Sequence, residues 1–538
     1  MNFLPILADG AGYRGFLTDF NTTFWSAVLR ITEAMVDAAP FLVAGVLAAG
    51  LLRGLVGAQR VRSLLGVGHW TGPFRAWALG VLLPICSLGA LPVARELRRA
   101  GIPSGTVLSF VLVAPVLNPV SIVYGLSHIA PVMLLYFAVG TFVVSVGIGL
   151  IWNRVVSDKR DIDPEDLEQA PRRSIDRLAV MGSTTARSLV GPAAIDYGLA
   201  LLAVGFLGAF LPHGVLQTGL TRDNVFAPVI MGLVAIPVYV TPTEVMMHFG
   251  HIVRDGYSLG AAFALIILGA GANVGVANWL RRDYGVKSLL LFVSLLIGAT
   301  LAIGLTADRT IISGNATVAD HTHAFDPFTR LAVVSAEQSH FGWVWSEVSR
   351  KITIDQICGL GLFLLLALVG IVLRILGDRV SIEHLMRKDE GEVATTANSR
   401  WNPRLTPLQL YFVGAVCSVA LGIVGLFLYY PSTDDLFEDM NNIRVDAYDA
   451  VRDQDTRESR RRLEQLRSHA EKLTTSVLIR WQEPTPAQKE SVEEVLYSLD
   501  TLEDYVVAGR FQEARTMITY VEKAYGNCRS EFRTTELN

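Results

Sequence analysis

Gly101-Ile-Pro-Ser-Gly105, followed by Asn118 after twelve further residues, is matched at the same spacing by Gly256-Tyr-Ser-Leu-Gly260 and Asn273, 155 residues later. Both copies lie in strongly apolar sequence, so the leading reading is a duplication inside a membrane. Just upstream of each copy a proline-bearing stretch interrupts what is otherwise a helix: Pro84-Ile-Cys-Ser-Leu-Gly-Ala-Leu-Pro92 and Pro237-Val-Tyr-Val-Thr-Pro242. Interrupted hydrophobic segments at matching places in two halves are the best sequence pointer to the binding site of a transporter.

Composition alone, 51% hydrophobic and 18% charged over 538 residues, fits a large soluble protein as well. The distribution decides against it. Pro131 to Trp152, Asp355 to Leu373 and Pro407 to Tyr430 are nearly free of charge, and each has the length needed to cross about 30 Å of hydrocarbon as helix. A net charge of −4 gives no electrostatic case for nucleic acid. The 4 cysteines show no CxxC or zinc spacing, so neither a disulfide framework nor a metal site is expected, and no cofactor. Phe3 to Leu7 is too short for the core of a cleaved signal, which leaves the first span to target the chain.

Hydrophobic segments fall at roughly 28–52, 73–100, 104–127, 130–152, 192–212, 225–252, 258–280, 287–306, 355–375 and 407–430. Arginine and lysine clusters follow the first span (Arg53, Arg60, Arg62), the fourth (Arg154 to Arg177) and the ninth (Arg374 to Lys388), and another precedes the eighth (Arg281, Arg282, Lys287). The positive-inside rule places all of them in the cytoplasm. That is possible only if one segment in each half fails to cross, and the broken ones are the natural choice. A hairpin over 73–100 turning at Cys86 to Gly89 has arms of about 18 Å, enough to pass the midplane; a second over 225–252 turns near Tyr239 to Thr243. The fold class expected is an all-α polytopic membrane protein, an inverted repeat of helices with two re-entrant hairpins, plus a helical polar tail.

In domain terms the reading is an N-terminal segment 1–27, a first transmembrane repeat 28–154, a cytoplasmic linker 155–191, a second repeat 192–306, an outer loop 307–354, an accessory transmembrane pair 355–430 and a helical soluble tail 431–538. In the tail Val492, Val495, Leu499, Leu502, Val506, Met517, Ile518 and Val521 recur at helical spacing. Pro484 and Pro486 mark one boundary and Gly509-Arg510 a turn, predicting two or three packed helices, with Arg457, Arg460, Arg461, Arg462 and Arg467 on a solvated face.

Broken helices survive in lipid only where protein or a water-filled cavity surrounds them, because each unpaired backbone group costs several kcal/mol there. Their exposed half-helix ends carry partial charges able to hold a polar solute. Cys86 and Ser87 at the first break, Thr241 at the second, and Asn118 and Asn273 in mid-span are therefore read as substrate-binding or pathway residues. The two asparagines are equally open to capping free backbone groups. Ionisable residues inside spans are functional hypotheses by default, and Glu244, Asp196 and Glu33 are read as coupling groups, with Asp37 one turn from Glu33 and His248 and His251 as alternatives to Glu244. His321-Thr-His323 with Asp320 and Asp326 is too sparse a pattern to define a metal site.

Pro84-Ile-Cys-Ser-Leu-Gly-Ala-Leu-Pro-Val-Ala, Leu97-Arg-Arg-Ala-Gly101, Gly105 and Ala114-Pro-Val-Leu-Asn-Pro119 together resemble the ArsP-like family of bacterial permeases over about residues 28–306. The resemblance implies permease architecture with Cys86, Ser87 and Asn118 as motif positions. Members with an assigned role are implicated in efflux of trivalent organoarsenicals, with cysteine thiols suggested to handle the arsenic. The family's usual Cys-Ser-Cys-Gly stands here as Cys86-Ser87-Leu88-Gly89, without the second thiol; thiolate pairs are what select soft metalloid centres.

The function expected is transport of a small solute across the bacterial inner membrane, outward, by a multi-pass permease that is not an enzyme. No Walker A sequence is present, so coupling is assigned to an ion gradient or to a partner ATPase. The expected partners are a small solute or ion and membrane lipid, with self-association left open. The alternative is a membrane-anchored assembly or sensor protein acting through its helical tail.

Overall fold

Apolar runs in lipid can satisfy their backbone groups only internally, and helix is what the chain forms. A computed structural model describes residues 10–66, 70–129, 131–156, 174–211, 215–238, 240–310, 325, 328–329, 340–349, 352–376, 430–480 and 482–534. The chain divides into two compact units, Met1–Leu405 and Thr406–Asn538. The protein is an all-α polytopic membrane protein.

The first unit begins with α1 (Gly10–Leu51), which continues through a π-helical turn, Leu52–Val56, into α2 (Ala58–Leu65). There follow α3 (Gly72–Leu82), α4 (Ala90–Arg99), α5 (Ser104–Val113), α6 (Pro119–His128) and α7 (Pro131–Val155), and then α8 (Ser174–Val190) and α9 (Pro192–Phe210). Beyond the short α10 (Val215–Gly219) come α11 (Ala227–Ala235), α12 (Pro242–Arg254), α13 (Leu259–Gly271), α14 (Val274–Tyr284) and α15 (Val286–Thr310), and the unit ends with α16 (Phe341–Ser349) and α17 (Ile354–Ile375). Within the segment read as a linker, residues 174–190 are helix α8, packed on α1 and α17.

Side-chain contacts show that α3 and α4 form a hairpin. Gly72, at the start of α3, abuts Thr106 at the start of α5, and Gly80 abuts Val113 and Ala114 at its end, so α3 and α5 run parallel. Since α4 ends only a few residues before α5 begins, both arms open at one end of the unit. The same construction recurs in α11 and α12. Gly232 meets Leu268 and Gly269 meets Val238, which sets α11 parallel to α13, while Ser258 N donates to Leu220 O at the mouth. The mouths face opposite ends. Gly105 N donates to Asn153 Oδ1 near the end of α7 (2.8 Å) and Gly260 N to Asp308 Oδ1 near the end of α15 (3.0 Å). Those two helices are antiparallel, with Tyr136 OH on Ile303 O and Trp152 against Phe292.

Each element of the repeated motif has a mechanical use. Gly101 (φ 74°) and Gly256 (φ 87°) take the left-handed turn that leads out of each hairpin into α5 and α13, where a side chain is strained. Gly105 and Gly260 let α5 and α13 press backbone to backbone on Gly149 and Gly304, the close approach small residues permit inside membranes. Asn118 and Asn273 sit at breaks, so segments read as the single spans 104–127 and 258–280 are each two helices. The α13 and α14 axes diverge by 45°.

Every residue of α5 and α13 is buried, which explains why these helices are apolar all round rather than on one face. They form the centre. Among the described residues five helices are long and apolar enough to cross a membrane, Phe20–Val56, Val132–Val155, Pro192–Phe210, Val286–Thr310 and Asp355–Ile375, or six if the bent α13–α14 pair counts as one. Their outward faces expose Leu135, Val139, Phe206, Phe210, Leu290, Leu364 and Leu368, the surface expected against lipid. The tenth apolar segment, 407–430, lies outside the described residues.

In the second unit the tail forms four helices rather than two or three: α18 (Thr433–Arg452), α19 (Thr456–Ile479), α20 (Pro486–Val507) and α21 (Phe511–Thr534). Each packs on the next and α21 closes on α18, an up-and-down bundle with short turns. Ser432, Asp455 and Thr485 cap three of the helices through their side chains. The arginine-rich run read as a solvated helix face lies in α19, and α18 precedes it as a fourth helix. That run is not wholly solvated: Arg462 is 3% exposed and pairs with Glu458 and Asp446. Cys528 is buried among these helices, and burial pushes its thiol up to about 11, leaving it protonated and unreactive at neutral pH.

Candidate functional site

The two hairpin tips meet. Pro84 cannot donate, and residues 83–86 leave the helix; Ser87 N then donates to Val240 O (3.1 Å), and Ser87 Oγ accepts from Val240 N (3.3 Å). Backbone groups freed by one break are thereby satisfied at the other, 153 residues away in sequence. Cys86 Sγ is buried and accepts from Gly89 N (3.2 Å), holding the turn into α4. Gly45 of α1 lies directly on Gly89, so no side chain fits between that helix and the first tip.

At the second tip Thr241 caps α12. Its Oγ1 accepts from Glu244 N (3.4 Å) and donates to Glu244 Oε2 (2.7 Å), which orients the carboxyl. Beside this tip lies a cavity of about 580 Å³. The second hairpin lines it with Val238, Val240, Glu244 and His248, α1 with Arg30, Glu33, Asp37 and Phe41, and α17 with Asp355 and Gln356. Arg30 Nη1 pairs with Glu33 Oε2 (2.8 Å), and Gln356 Nε2 donates to Asp37 Oδ1 (2.7 Å). His248 packs on Phe328 with ring centroids 5.0 Å apart. Most of the remaining wall is aliphatic.

Of the residues singled out in the sequence, Glu33, Asp37, Glu244 and His248 are brought together on this wall, and Thr241 holds one of them. Cys86 and Ser87 belong to the tip contact and are absent from the described lining. Asn118 and Asn273 cap their own broken spans. Asn118 Oδ1 accepts from Val120 N and Ser121 N (both 3.1 Å) while its Nδ2 donates to Ala114 O (2.9 Å). Asn273 repeats this with Val276 N (3.0 Å) and Gly269 O (2.8 Å).

Asp196 stands apart. Fully buried on α9, it accepts from Arg95 of α4 (2.7 Å), Arg282 of α14 (3.1 Å) and Asn278 (2.8 Å), tying three elements together at the mouth of the first hairpin. His321, His323, Asp320 and Asp326 lie outside the described residues, and among the described ones no group of three or more His, Cys, Asp or Glu is placed to hold a metal ion. Sequence reasoning passed over Arg30, Phe41 and Gln356, since an arginine one turn before Glu33 reads as an ordinary helix pair. Asn153 and Asp308 were also missed, although their 155-residue offset is that of the motif itself.

A polar cavity beside broken helices, inside an all-helical membrane domain, defines a transport-type architecture. Residues 24–308 match the ArsP family model described as a predicted permease, and the chain belongs to that family. It is a membrane permease. The UPF0718 protein YcgR of Bacillus subtilis (strain 168) is 22% identical over 281 residues, which covers 50% of this chain and 92% of that protein. That relative therefore has no room for a region the size of residues 309–538. No solved structure matches.

Proposed function

We propose that the protein moves a small solute outward across the bacterial inner membrane, binding it near the midplane in the cavity beside the second hairpin tip. One observation carries this reading: the tips meet at Ser87 and Val240, with a partly open cavity, charged groups set in a largely aliphatic wall, on one side of that contact and the Asp196 ion-pair network on the other. A cavity open toward one end and a lock at the other is the arrangement alternating access requires. Positive-inside counting assigns the Asp196 end, where Arg53, Arg95, Arg98, Arg99 and Arg282 gather, to the cytoplasm. In this scheme Glu244 is the coupling group, exchanging a proton or cation with the solute, and Glu33 tunes it from α1. Asp196 stabilises the state with the cytoplasmic end shut. Cys86, Ser87, Asn118, Thr241 and Asn273 shape the pathway by holding the breaks in register.

The test is a sensitivity and accumulation panel of metals, metalloids and small organic compounds in a deletion strain. The deletion strain accumulates the transported solute, and wild-type protein, but not Glu244→Gln, restores its exclusion. Cys86→Ala and Asn118→Ala reduce that flux while the protein stays in the membrane. Equal accumulation of every compound with and without the protein rejects transport. The self-contained second unit gives the sensor reading its specific support; it requires the phenotype to vanish on deletion of residues 432–538, whereas a permease keeps its flux.

A further inference from the structure

The Glu244 carboxyl accepts from Thr241 Oγ1 and makes no ion pair among the described residues, although it lies in the cavity wall. Glu33 lines the same space, paired with Arg30 Nη1 at 2.8 Å. His248, on the same helix one turn further on, is only 8% exposed, has no hydrogen-bond partner among the described residues and lines the cavity. A buried imidazole without a partner is costly unless something else bonds it. Both groups therefore point to a ligand rather than to a finished internal network.

The charge of that ligand follows from the wall. Four carboxylates, Glu33, Asp37, Glu244 and Asp355, face it against the single guanidinium of Arg30 among the described lining residues. In a cleft with largely aliphatic walls such a balance repels anions and concentrates cations. Among the described residues no three His, Cys, Asp or Glu side chains converge as metal ligands. The volume of about 580 Å³, the aliphatic wall and the Phe41 and Phe328 rings suit a larger, partly apolar body.

We propose that the solute of this cavity is an organic cation with an apolar body, its charge taken by the Glu244 carboxylate and a hydrogen-bonding group by His248. This rests on the permease reading and narrows it to one substrate class.

The experiment uses full-length protein in detergent and three probes of one shape: phenethylammonium, neutral 2-phenylethanol and anionic phenylacetate, titrated by saturation-transfer NMR. The ammonium binds at least tenfold more tightly than the alcohol, and phenylacetate does not displace it. Glu244→Gln removes that preference while the alcohol still binds, and Glu244→Asp keeps it. Equal binding of all three probes, or a preference that survives Glu244→Gln, overturns the proposal; so does a Glu244→Asp protein that binds the alcohol without favouring the ammonium. The accumulation panel separates this from the parent reading. Export of an anion or a neutral compound leaves the permease standing and removes the cation, whereas selective ammonium binding without any altered accumulation removes transport and leaves the site.

Discussion

Asn118 and Asn273 each join two half-helices with one side-chain amide, the carbonyl capping the helix that begins and the NH₂ bonding the helix that ends. Removing such a side chain strands buried backbone groups at about 1–3 kcal/mol each. Asn118→Ala and Asn273→Ala should lower the thermal midpoint in detergent by several degrees and by similar amounts, as residues in equivalent roles must. Asn118→Asp keeps the capping oxygen and should recover part of the loss. A midpoint unmoved by either alanine would contradict the capping role. At this scale the sequence was informative about which polar residues matter and silent about what they touch. An asparagine in an apolar span reads equally as a cap or as a solute ligand, and only the positions of Ala114 O and Gly269 O distinguish the two.

Among the elements, the hairpins matter most, because the proposed placement of every arginine cluster on one side depends on them. In a protein freed of its natural cysteines, Arg75→Cys and Arg99→Cys should label from the same face of the membrane with an impermeant maleimide. Asn224→Cys and Arg254→Cys should label from the opposite face. Positions 75 and 99 reacting from different sides would mean that α3 and α4 cross in succession. The Asp196 network belongs to this scale too, since it joins α4, α9 and α14 rather than serving any one of them. Asp196 is fully buried while Arg95 and Arg282 reach partly into solvent, so its removal costs less than the loss of one partner of a fully buried pair. Asp196→Ala should therefore lower the thermal midpoint and speed maleimide labelling of a cysteine placed at Asn278, and unchanged labelling would show that this end is held shut by something else. Asp196 was legible in sequence as an ionisable residue in a span. Its partners were not, for Arg95 and Arg282 stand 101 and 86 residues away.

On the scale of the molecule, a permease half and a helical bundle are joined in one chain, and the bundle has its own core around Leu436, Leu466, Val495, Leu502 and Val521. Residues 432–538 made alone should be soluble and helical, with a cooperative thermal transition by circular dichroism. A molten, non-cooperative signal would mean that the bundle depends on the rest of the chain. The membrane part was read from its repeat, because a 155-residue offset copies every joint of the hairpin and the broken span, and lipid leaves a broken helix few alternatives. The arginines of α19, read as a solvated face, pair in the folded bundle with Glu458, Asp446, Glu503 and Asp500.

Sequence by itself determined the membrane class, the duplication, the two breaks and the polar groups available to them, since these follow from hydropathy, proline and glycine chemistry acting locally. Only the tertiary structure decided that the tips bond to each other through Ser87 and Val240, and that Glu33, Asp37, Glu244 and His248 share one cavity while Asp196 closes the far end. The Asp196 contacts are its pairs with Arg95 and Arg282; all these contacts join helices far apart in the chain, and their partners are set by how the helices pack, which no local pattern records.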